Sequence, residues 1–291
     1  MREGLIYKAL SGFYYVDSEG ESFQCRARGV FRKKGISPLV GDEVIFQIEN
    51  ETDGYITELK PRRNELKRPP VANIDQVLVV MSAKEPEFSK NLIDKFLVIV
   101  ESYDIEPCLI VTKKDLLNAA QTAAIESQLS DYEAIGYRTY FVSNLEDQSA
   151  LADILVDGIN VLSGQSGVGK SSLINAVKPD SQLETGIISS ALNRGKHTTR
   201  HVELIQVNGK YLADTPGFSA LDIAHIDKYI LKNCFPEFVA REDQCRYREC
   251  LHVNEPSCAV KAAVESGEVM QSRYDNYLQL MNEIETRKVR Y

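Results

Sequence analysis

The residues with the clearest chemistry form one short run, Gly164-Gln165-Ser166-Gly167-Val168-Gly169-Lys170-Ser171. Its spacing is that of a loop in which glycines let several backbone N–H groups surround the phosphates of a nucleotide. Lys170 would add a positive charge near the β- and γ-phosphates, and the Ser171 hydroxyl would ligate Mg²⁺. The apolar run Ile159–Leu162 predicts a strand before the loop, and Ser171–Val177 predicts a helix after it. The sequence therefore predicts a nucleotide site that extends to Ser172.

A second run, Thr112-Lys113-Lys114-Asp115, follows a predicted strand and is similar to the guanine-recognition element of GTPases, usually N-K-x-D. The Asp115 carboxylate would accept hydrogen bonds from the ring N–H and amino group of guanine, a donor pair that adenine lacks. Lys113 would lay its aliphatic stem along the base, and the Thr112 hydroxyl, in place of the usual asparagine, can still tether the loop. Ser143 and Asn144 follow another strand and are predicted to form a second base contact. Taken alone, the first run is also typical of a solvated helix start capped by Asp115.

Two further segments carry residues that would hold Mg²⁺ and the γ-phosphate. Asp214-Thr215-Pro216-Gly217 follows the predicted strand Tyr211–Ala213 and matches the D-x-x-G element of GTPases. In that element the Asp, here Asp214, reaches Mg²⁺ through water, and the Gly N–H, here that of Gly217, meets the γ-phosphate. We expect Thr198 or Thr199, in the preceding loop, to ligate Mg²⁺. By itself the Pro-Gly pair is also typical of an ordinary turn.

Hydrolysis requires a residue that orients the attacking water. Many GTPases place a glutamine directly after the D-x-x-G element, but here that position holds Phe218. We therefore expect slow unassisted hydrolysis and predict that His197 orients the water, while Lys170 and Asp214 stabilise the phosphates and the metal. The alternative is that His197 is a solvent-exposed loop histidine.

These elements occur in an unusual order along the chain. The base-recognition residues (112–115 and 143–144) precede the phosphate-binding loop (164–171), and the switch segments (about 189–199 and 214–217) follow it. In most GTPases the phosphate-binding loop comes first. A circular permutation accounts for the difference, because loops at the C-terminal edge of a parallel sheet can build the same site in any chain order.

Three of the six cysteines lie close to a histidine in the pattern Cys245-x4-Cys250-x-His252-x5-Cys258. Three thiolates and one imidazole suit tetrahedral Zn²⁺, and four protein ligands leave no open position, which is typical of a structural metal. The spacing is not that of the common zinc fingers, so free buried thiols are the alternative. The other cysteines are predicted to be small core residues: Cys25, Cys108 and Cys234.

The elements that must position these residues divide the chain into three parts. Residues 1–65 suggest a small closed barrel of five strands. In residues 66–222, near-continuous apolar runs such as Ile74–Met81 and Pro107–Val111 alternate with helical patterns such as Asn91–Ser102, which predicts an α/β domain with a parallel sheet. Residues 223–291 have no strand pattern. The barrel strands are predicted at Leu5–Ala9, Phe13–Val16, Phe23–Phe31, Glu43–Ile48 and Tyr55–Leu59. An apolar stripe in the last helix is predicted to be a packing face, with partner binding as the alternative: Tyr274, Tyr277, Leu278, Met281 and Ile284.

Length and composition exclude several classes of protein. The chain has 291 residues, of which 43% are apolar and 26% charged, and these are ordinary globular values. No apolar run approaches the ~20 residues of a membrane-spanning helix, and the N-terminus lacks the apolar stretch of a secretion signal. We therefore expect a cytoplasmic protein with no membrane partner.

The net charge of −8 at first counts against nucleic-acid partners. It is an average over the chain, however, and residues 22–41 contain no acidic side chain. A basic face on the barrel would suit single-stranded or structured RNA, although a solvated charged surface is the usual alternative. The candidate RNA-binding residues are Arg26, Arg28, Arg32, Lys33, Lys34, Arg62 and Arg63.

Over nearly its whole length the chain resembles the circularly permuted, ribosome small-subunit-dependent GTPases of bacteria, the family of small ribosomal subunit biogenesis GTPase A. The order of the parts is the most diagnostic feature. The residues that carry the resemblance are Thr112–Asp115, Gly164–Ser172, Gly195–Thr199, Asp214–Gly217 and the Cys245/Cys250/His252/Cys258 cluster. The resemblance implies an N-terminal OB-fold that binds RNA (1–65), a permuted GTPase domain (66–222) and a zinc-binding domain with a C-terminal helix (223–291).

The resemblance also implies a function in late assembly of the small ribosomal subunit. A member of the family binds 16S rRNA near the decoding region, hydrolyses GTP to GDP and phosphate faster when bound, and then dissociates. The implied cofactors are one structural Zn²⁺ and Mg²⁺ with GTP, and we expect a monomer. Thr112 for Asn, and Asn144 where Ala is commoner, are the departures from the family pattern. Two alternatives stay open: a P-loop ATPase or kinase, and an RNA-binding assembly factor that uses nucleotide only as a binding switch.

Overall fold

The computed structural model describes residues 1–33, 35–50, 52–67, 69–143, 153–177, 202–214 and 222–287. The described residues form two compact units. The first unit lies within residues 1–77, 147–162 and 170–218, and the second lies within 78–146, 163–169 and 219–291. The division at residues 65 and 222 that the sequence suggests stays a prediction.

Strands dominate the first part of the chain, and helices dominate the last. The strands are β1 (Arg2–Leu10), β2 (Phe13–Ser18), β3 (Glu21–Ala27), β4 (Glu43–Ile48), β5 (Asp53–Leu59), β6 (Glu65–Lys67), β7 (Pro70–Ala72), β8 (Ile74–Ser82), β9 (Glu106–Thr112), β10 (Arg138–Phe141), β11 (Ile159–Ser163), β12 (Glu203–Val207) and β13 (Lys210–Asp214). The helices are α1 (Gly29–Lys33), α2 (Lys90–Glu101), α3 (Ala119–Ile135), α4 (Lys170–Val177), α5 (Lys228–Asn233), α6 (Pro236–Val239), α7 (Ala259–Ser266) and α8 (Gln271–Thr286).

Five strands of the first unit close into a barrel in the order β1-β2-β3-β5-β4, and β4 pairs again with β1. All neighbouring strands are antiparallel except β3 and β5, which run parallel. Successive side chains of a strand point to opposite faces, so Ile6, Val16, Phe46 and Ile56 fill the interior and are fully buried. The predicted barrel is confirmed.

One barrel strand is shorter than predicted. The strand expected over Phe23–Phe31 ends at Ala27, which is also the last residue of β3 that pairs with β5. Gly29–Lys33 instead form the short helix α1. Val30 is 44% exposed, so the apolar residues that suggested a longer strand do not all face the core.

The sheet of the first unit continues beyond the barrel. Strand β1 pairs with β12 at Lys8 and Glu203, whose side chains also form an ion pair of 3.0 Å. Strand β12 runs antiparallel to β13, which in turn runs parallel to β11. The strand that leads into the phosphate-binding loop therefore belongs to the same hydrogen-bonded sheet as the barrel.

The second unit contains strands in the order β10-β9-β8, with β9 and β10 parallel. Strands β8 and β9 are buried along almost their whole length, as expected for strands that are covered on both faces. Helix α2 begins one residue before the predicted Asn91, because the Ser89 hydroxyl caps it by accepting from the Leu92 N–H at 3.3 Å. The predicted α/β architecture is confirmed.

An ion cluster with almost no solvent contact ties three helices of the second unit together. Arg273 on α8 donates to Asp94 on α2 at 2.8 Å and to both carboxylate oxygens of Glu237 on α6 at 2.5 and 3.0 Å. Tyr132 donates at 2.9 Å to Asp94 Oδ1, the oxygen that Arg273 also binds, and Asn276 donates to Oδ2 at 2.6 Å. Burial alone would lower the pKa of Arg273, but the charges of Glu237 and Asp94 raise it well above its usual range.

The last helix packs with one face, as predicted, although the stripe is shifted. Its buried residues are Arg273, Tyr277, Leu280 and Met281. The three cysteines outside the cluster are buried, which confirms their predicted place in the core. None of the helices in the described part of the chain combines the length and apolar character that a bilayer crossing requires.

The connector after the barrel is fixed by a buried charge. Asp42 has no exposed side-chain surface, and Arg62 binds it through Nε at 2.7 Å and Nη2 at 2.8 Å. Arg62 also donates to the Ser37 carbonyl and pairs with Glu65. The side chain of Arg62 is 22% exposed, whereas that of its neighbour Arg63, which pairs with Asp75, is 61% exposed.

We expect Arg62→Ala to destabilise the protein by about 3 kcal/mol, because it leaves the buried Asp42 charge without its partner. Arg63→Ala is the matched control, and its exposed ion pair should contribute less than about 1 kcal/mol. Urea unfolding followed by circular dichroism measures both free energies. Equal losses for the two variants would show that the Asp42 pair does not anchor the connector.

Candidate functional site

The phosphate-binding loop, Gly164–Gly169, lies between β11 and α4, as the sequence predicts. Gly164 has a φ of +141°, and a Cβ at this position would lie 2.2 Å from the Val80 carbonyl oxygen. Only glycine fits there without moving β8. Helix α4 begins at Lys170, directly after the loop, so its N-terminal N–H groups follow those of the loop.

Lys170 is half-buried, and Ser171 is exposed. Burial lowers the pKa of Lys170 to about 8, because the charged ammonium is disfavoured away from water. A phosphate group would oppose this shift by stabilising the ammonium form.

Thr112 joins the base-recognition run to the phosphate-binding loop. Its side chain is fully buried at the end of β9, and its Oγ1 lies 2.6 Å from the Val168 carbonyl oxygen and 3.1 Å from that of Met81. The sequence suggested that this hydroxyl could tether the loop but gave no partner for it. The partner is the backbone of the phosphate-binding loop itself.

The two candidate base-recognition segments lie side by side. Ser143 is buried, and its hydroxyl donates to the exposed carboxylate of Asp115 at 2.9 Å. Lys113 adopts a left-handed conformation with a φ of 62°, and its ammonium donates to the Glu85 carbonyl. The alternative in which Asp115 caps a helix is wrong, since Asp115 lies within a 3-10 turn, Lys114–Leu116, and helix α3 is capped by Asn118.

Several predicted site residues lie outside the described residues. They are Asn144, His197, Thr198, Thr199 and Gly217. The backbone of Asp214 is described as the end of β13, where it pairs with Glu203. The geometry therefore covers the phosphate-binding loop and most of the base-recognition segments, while the roles of the switch residues stay predictions.

The predicted cysteine–histidine cluster is assembled. The ligand atoms of Cys245, Cys250, His252 and Cys258 all lie within 4.8 Å of one another. The Sγ atoms of Cys245 and Cys258 are 3.9 Å apart, and His252 Nδ1 lies 3.3 Å from Cys258 Sγ. Tetrahedral Zn²⁺ with bonds of about 2.3 Å separates its sulfurs by about 3.8 Å. The donors and their spacing thus fit a structural zinc ion.

The loop that carries His252 is supported from two sides. Tyr277 donates to the Leu251 carbonyl, and Tyr274 donates to the His252 carbonyl at 2.7 Å, so both tyrosines of α8 hold the loop backbone. On the other side, Glu255 accepts from the Leu251 and Val253 N–H groups at 2.8 and 2.9 Å. Burial would raise the pKa of Glu255, but these backbone donors hold it below its usual value.

The basic residues proposed for RNA binding differ in their surroundings. Arg26, Arg28 and Lys33 are exposed. Arg62 is engaged by Asp42, as described above, and Arg63 by Asp75 at 2.8 Å. The Arg32 side chain and Lys34 lie outside the described residues. Three of the candidate residues are therefore exposed, and of these Arg26 lies over the Phe13 ring at 4.8 Å, while Arg28 donates to the Gln47 side chain at 3.2 Å.

Comparisons with known proteins agree with this arrangement. The family model for the RsgA GTPase matches residues 59–224, and that for the RsgA N-terminal domain matches residues 3–56. The chain is 53% identical over 293 residues to the small ribosomal subunit biogenesis GTPase RsgA of Shouchella clausii, and 54% identical over 291 residues to that of Staphylococcus carnosus. Both matches cover 100% of this chain and of the relative.

Solved structures show the same similarity. The crystal structure of YloQ, a circularly permuted GTPase, is 47% identical with a TM-score of 0.87, and the match covers 100% of this chain and 97% of that one. The crystal structure of YjeQ from Thermotoga maritima is 35% identical, also with a TM-score of 0.87, and the match covers 99% of each chain. The permuted order of elements noted in the sequence thus agrees with the similarity to YloQ, a circularly permuted GTPase.

The Thr112 tether generates a prediction for nucleotide affinity. Thr112→Val keeps the shape of the side chain but removes the donor to Val168. The base-recognition run and the phosphate-binding loop are then no longer held together before nucleotide binds, and ordering them weakens binding. We expect guanine nucleotides to bind about tenfold more weakly, a change of roughly 1.4 kcal/mol. Titration with a fluorescent GDP analogue measures this, and Thr112→Ser, which retains the hydroxyl, should bind like the wild type. An unchanged affinity in the valine variant would contradict the tether.

The cysteine–histidine cluster generates a second prediction. We expect the purified protein to contain zinc and Cys258→Ser to lose it, because three ligands hold the ion less firmly than four. Loss of the ion should also lower the melting temperature. Cys234→Ala, at a buried thiol outside the cluster, is the control and should retain the metal. Atomic emission spectroscopy gives the zinc content, and a zinc-free wild-type protein isolated without chelators would refute the assignment.

Proposed function

The chain belongs to the RsgA family of GTPases, GTP hydrolases of small ribosomal subunit biogenesis, and on this basis we propose its detailed action. It binds the small subunit late in maturation, at 16S rRNA. There it hydrolyses GTP to GDP and phosphate faster than when free, and it then dissociates. GTP favours the bound form, and hydrolysis makes release irreversible.

One observation carries the proposal most directly: Thr112 of the base-recognition run touches the phosphate-binding loop at Val168, 2.6 Å away. A guanine base and a phosphate chain belong to one ligand, so the segments that hold them must be fixed relative to each other. Asp115, oriented by Ser143, then reads the guanine donors. A site for ATP has no need of this carboxylate.

The other residues take roles that follow from their chemistry. Lys113 covers the guanine base, and Asn144 contacts the same base from the second base-recognition segment. Lys170 neutralises the β- and γ-phosphates, and Mg²⁺ is held by Ser171 together with a switch threonine, Thr198 or Thr199. Asp214 reaches Mg²⁺ through water, and the remaining nucleotide contacts are assigned to Lys114, Gly164–Gly169, Ser172 and Gly217. Mg²⁺ supplies charge stabilisation on the transferred phosphoryl group.

The parts outside the nucleotide site serve the encounter with the ribosome. The barrel offers Arg26, Arg28 and Lys33 to rRNA phosphates. The zinc ion, with a closed shell of four protein ligands, is structural. We further propose that the protein acts as a monomer in the cytoplasm, where its substrate particle is assembled.

The decisive experiment measures GTP turnover with and without purified small subunits. We expect stimulation of more than about tenfold, a part of the ~10³–10⁵ that a partner in trans supplies to other GTPases. ATP should not be turned over, and Asp115→Asn should transfer activity from GTP to xanthosine triphosphate. If subunits neither bind nor accelerate hydrolysis, the proposed action is wrong, and binding without turnover would indicate a nucleotide-dependent switch.

The same assay tests the proposed role of His197. His197→Ala should lose on the order of 10²-fold in subunit-stimulated turnover, with nucleotide affinity unchanged, because only the attacking water loses its partner. Lys170→Ala is the reference for complete loss. Full stimulated turnover in the His197 variant would show that this histidine is an ordinary loop residue.

A further inference from the structure

The second unit contains a cavity of about 430 Å³ at the end of its sheet where β9 begins. The last residues of α2 and α3 and the first residues of β9 and α6 line it. Strand β9 runs from Glu106 at the cavity to Thr112 in the base-recognition run, a distance of about 20 Å at 3.3 Å per residue. The cavity is therefore separate from the predicted nucleotide site.

The lining of this cavity is negatively charged. Three of its residues are acidic, Glu101, Asp104 and Glu106, and none is basic. Among the described residues, Arg138 pairs with Glu106 at 2.9 Å, but Glu101 and Asp104 have no ion pair. Helices α2 and α3 both end at the cavity, and a helix C-terminus carries about half a negative charge. We call this site the acidic cavity.

A buried hydroxyl group in the same lining points to a ligand. Tyr137 is only 6% exposed. Its hydroxyl lies near the Glu101 carboxylate, but the two do not meet in hydrogen-bond geometry, and no other group of the described residues pairs with it. Buried polar groups are normally hydrogen-bonded. A ligand with several N–H donors would pair with the Tyr137 oxygen and with Glu101 together.

Glu101 responds to charge in the cavity. Burial raises its pKa to about 7, which outweighs the opposing effects of the Tyr137 hydroxyl and the Arg273 charge. A cation stabilises the carboxylate form, so its binding would release the Glu101 proton to the buffer. The titratable groups that face Glu101 are Asp104 after α2, Tyr137 before β10, Cys234 after α5, Glu237 on α6 and Arg273 on α8.

The other walls of the cavity are apolar, which separates organic cations from metal ions. They are formed by Ile105, Pro107, Ile135 and Pro236. Mg²⁺ requires an octahedral set of oxygen ligands, which such walls do not offer. The alkyl stem of an organic cation instead packs on apolar walls while its charged end reaches polar groups. The volume also lies within the range of about 300–1,000 Å³ that is typical of small-ligand sites.

We propose that the acidic cavity binds an organic cation, a guanidinium or alkylammonium group on an alkyl stem. The charged end pairs with Glu101, Asp104 and the Tyr137 oxygen, and the stem covers the apolar walls. Free polyamines and the arginine or lysine side chains of a basic protein segment share this chemistry. The inference does not depend on the proposed function, because the site and its ligand are separate from nucleotide and RNA.

Calorimetric titration of the full-length protein tests the proposal with four probes. They are agmatine, a blocked tripeptide with a central arginine, the same peptide with citrulline, and Mg²⁺. Citrulline keeps the shape of arginine without its charge, so we expect agmatine or the arginine peptide to bind at least about tenfold more tightly than the citrulline peptide. Tighter binding of agmatine indicates a free amine as the ligand, and tighter binding of the arginine peptide indicates a protein side chain.

The pH dependence identifies Glu101 as the group that responds. Affinity for agmatine should rise as the pH rises through about 7 and level off above it, because Glu101 is then already ionised. Near neutral pH, titrations in two buffers of different ionisation enthalpy should show that a proton is released. An affinity that does not change with pH would contradict the role of Glu101.

Variants locate the cation. Glu101→Gln should weaken agmatine binding at least about tenfold and abolish the proton release. Asp104→Asn should also weaken binding, and its fold is safe because Asn tolerates the left-handed conformation of this exposed position, with a φ of 55°. Glu265→Gln, at an exposed acid on α7 outside the cavity, is the matched control and should bind like the wild type. Melting curves that match the wild type show that the variants are folded.

Three results would overturn the proposal. They are a citrulline peptide that binds as tightly as both cationic probes, displacement of agmatine by an equal concentration of Mg²⁺, and normal agmatine binding by both cavity variants. Each of these can occur whether or not small subunits stimulate GTP hydrolysis, so the test is independent of the proposed function.

Discussion

The ion cluster of Arg273, Asp94 and Glu237 is the constraint on which the second unit depends. Three charges with almost no solvent contact are tolerated only when each is paired, and removal of one partner typically costs about 3–5 kcal/mol. The pairing therefore admits one arrangement of α2, α6 and α8. Because α8 is fixed in this way, its tyrosines Tyr274 and Tyr277 meet the loop that carries His252. The position of the cysteine–histidine cluster relative to α2 thus depends on a buried salt bridge.

Thr112 shows how a permuted chain keeps its site intact. The base-recognition run precedes the phosphate-binding loop along the chain, yet the Thr112 hydroxyl reaches the Val168 carbonyl. A hydroxyl has one proton and an asparagine amide has two, so Thr112 can serve either Val168 or Met81 at a given moment, whereas asparagine could serve both. The shorter distance, 2.6 against 3.1 Å, favours the phosphate-binding loop. Threonine at this position thus keeps the link to the phosphate-binding loop.

The sequence predicts local features well and distant pairings poorly. The run Ile74–Met81 indicated a doubly covered strand, and the glycines around Lys170 indicated the phosphate-binding loop, because both patterns are complete within a few residues. The strand expected over Phe23–Phe31 was too long, since its end depends on where β5 stops pairing. The buried ion cluster of Arg273 could not be predicted, because its partners lie 36 and 179 positions away along the chain.

Tyr274 and Tyr277 hold the loop that carries His252 through its backbone carbonyls. This choice of acceptor has an evolutionary consequence. Every residue type has a backbone carbonyl, so Tyr277 would keep its hydrogen-bond acceptor if Leu251 were substituted. The two tyrosine hydrogen bonds therefore do not depend on which side chains the loop carries. Side chains at the spacer positions of the loop can therefore change independently of the four candidate ligand positions, without loss of the two tyrosine hydrogen bonds.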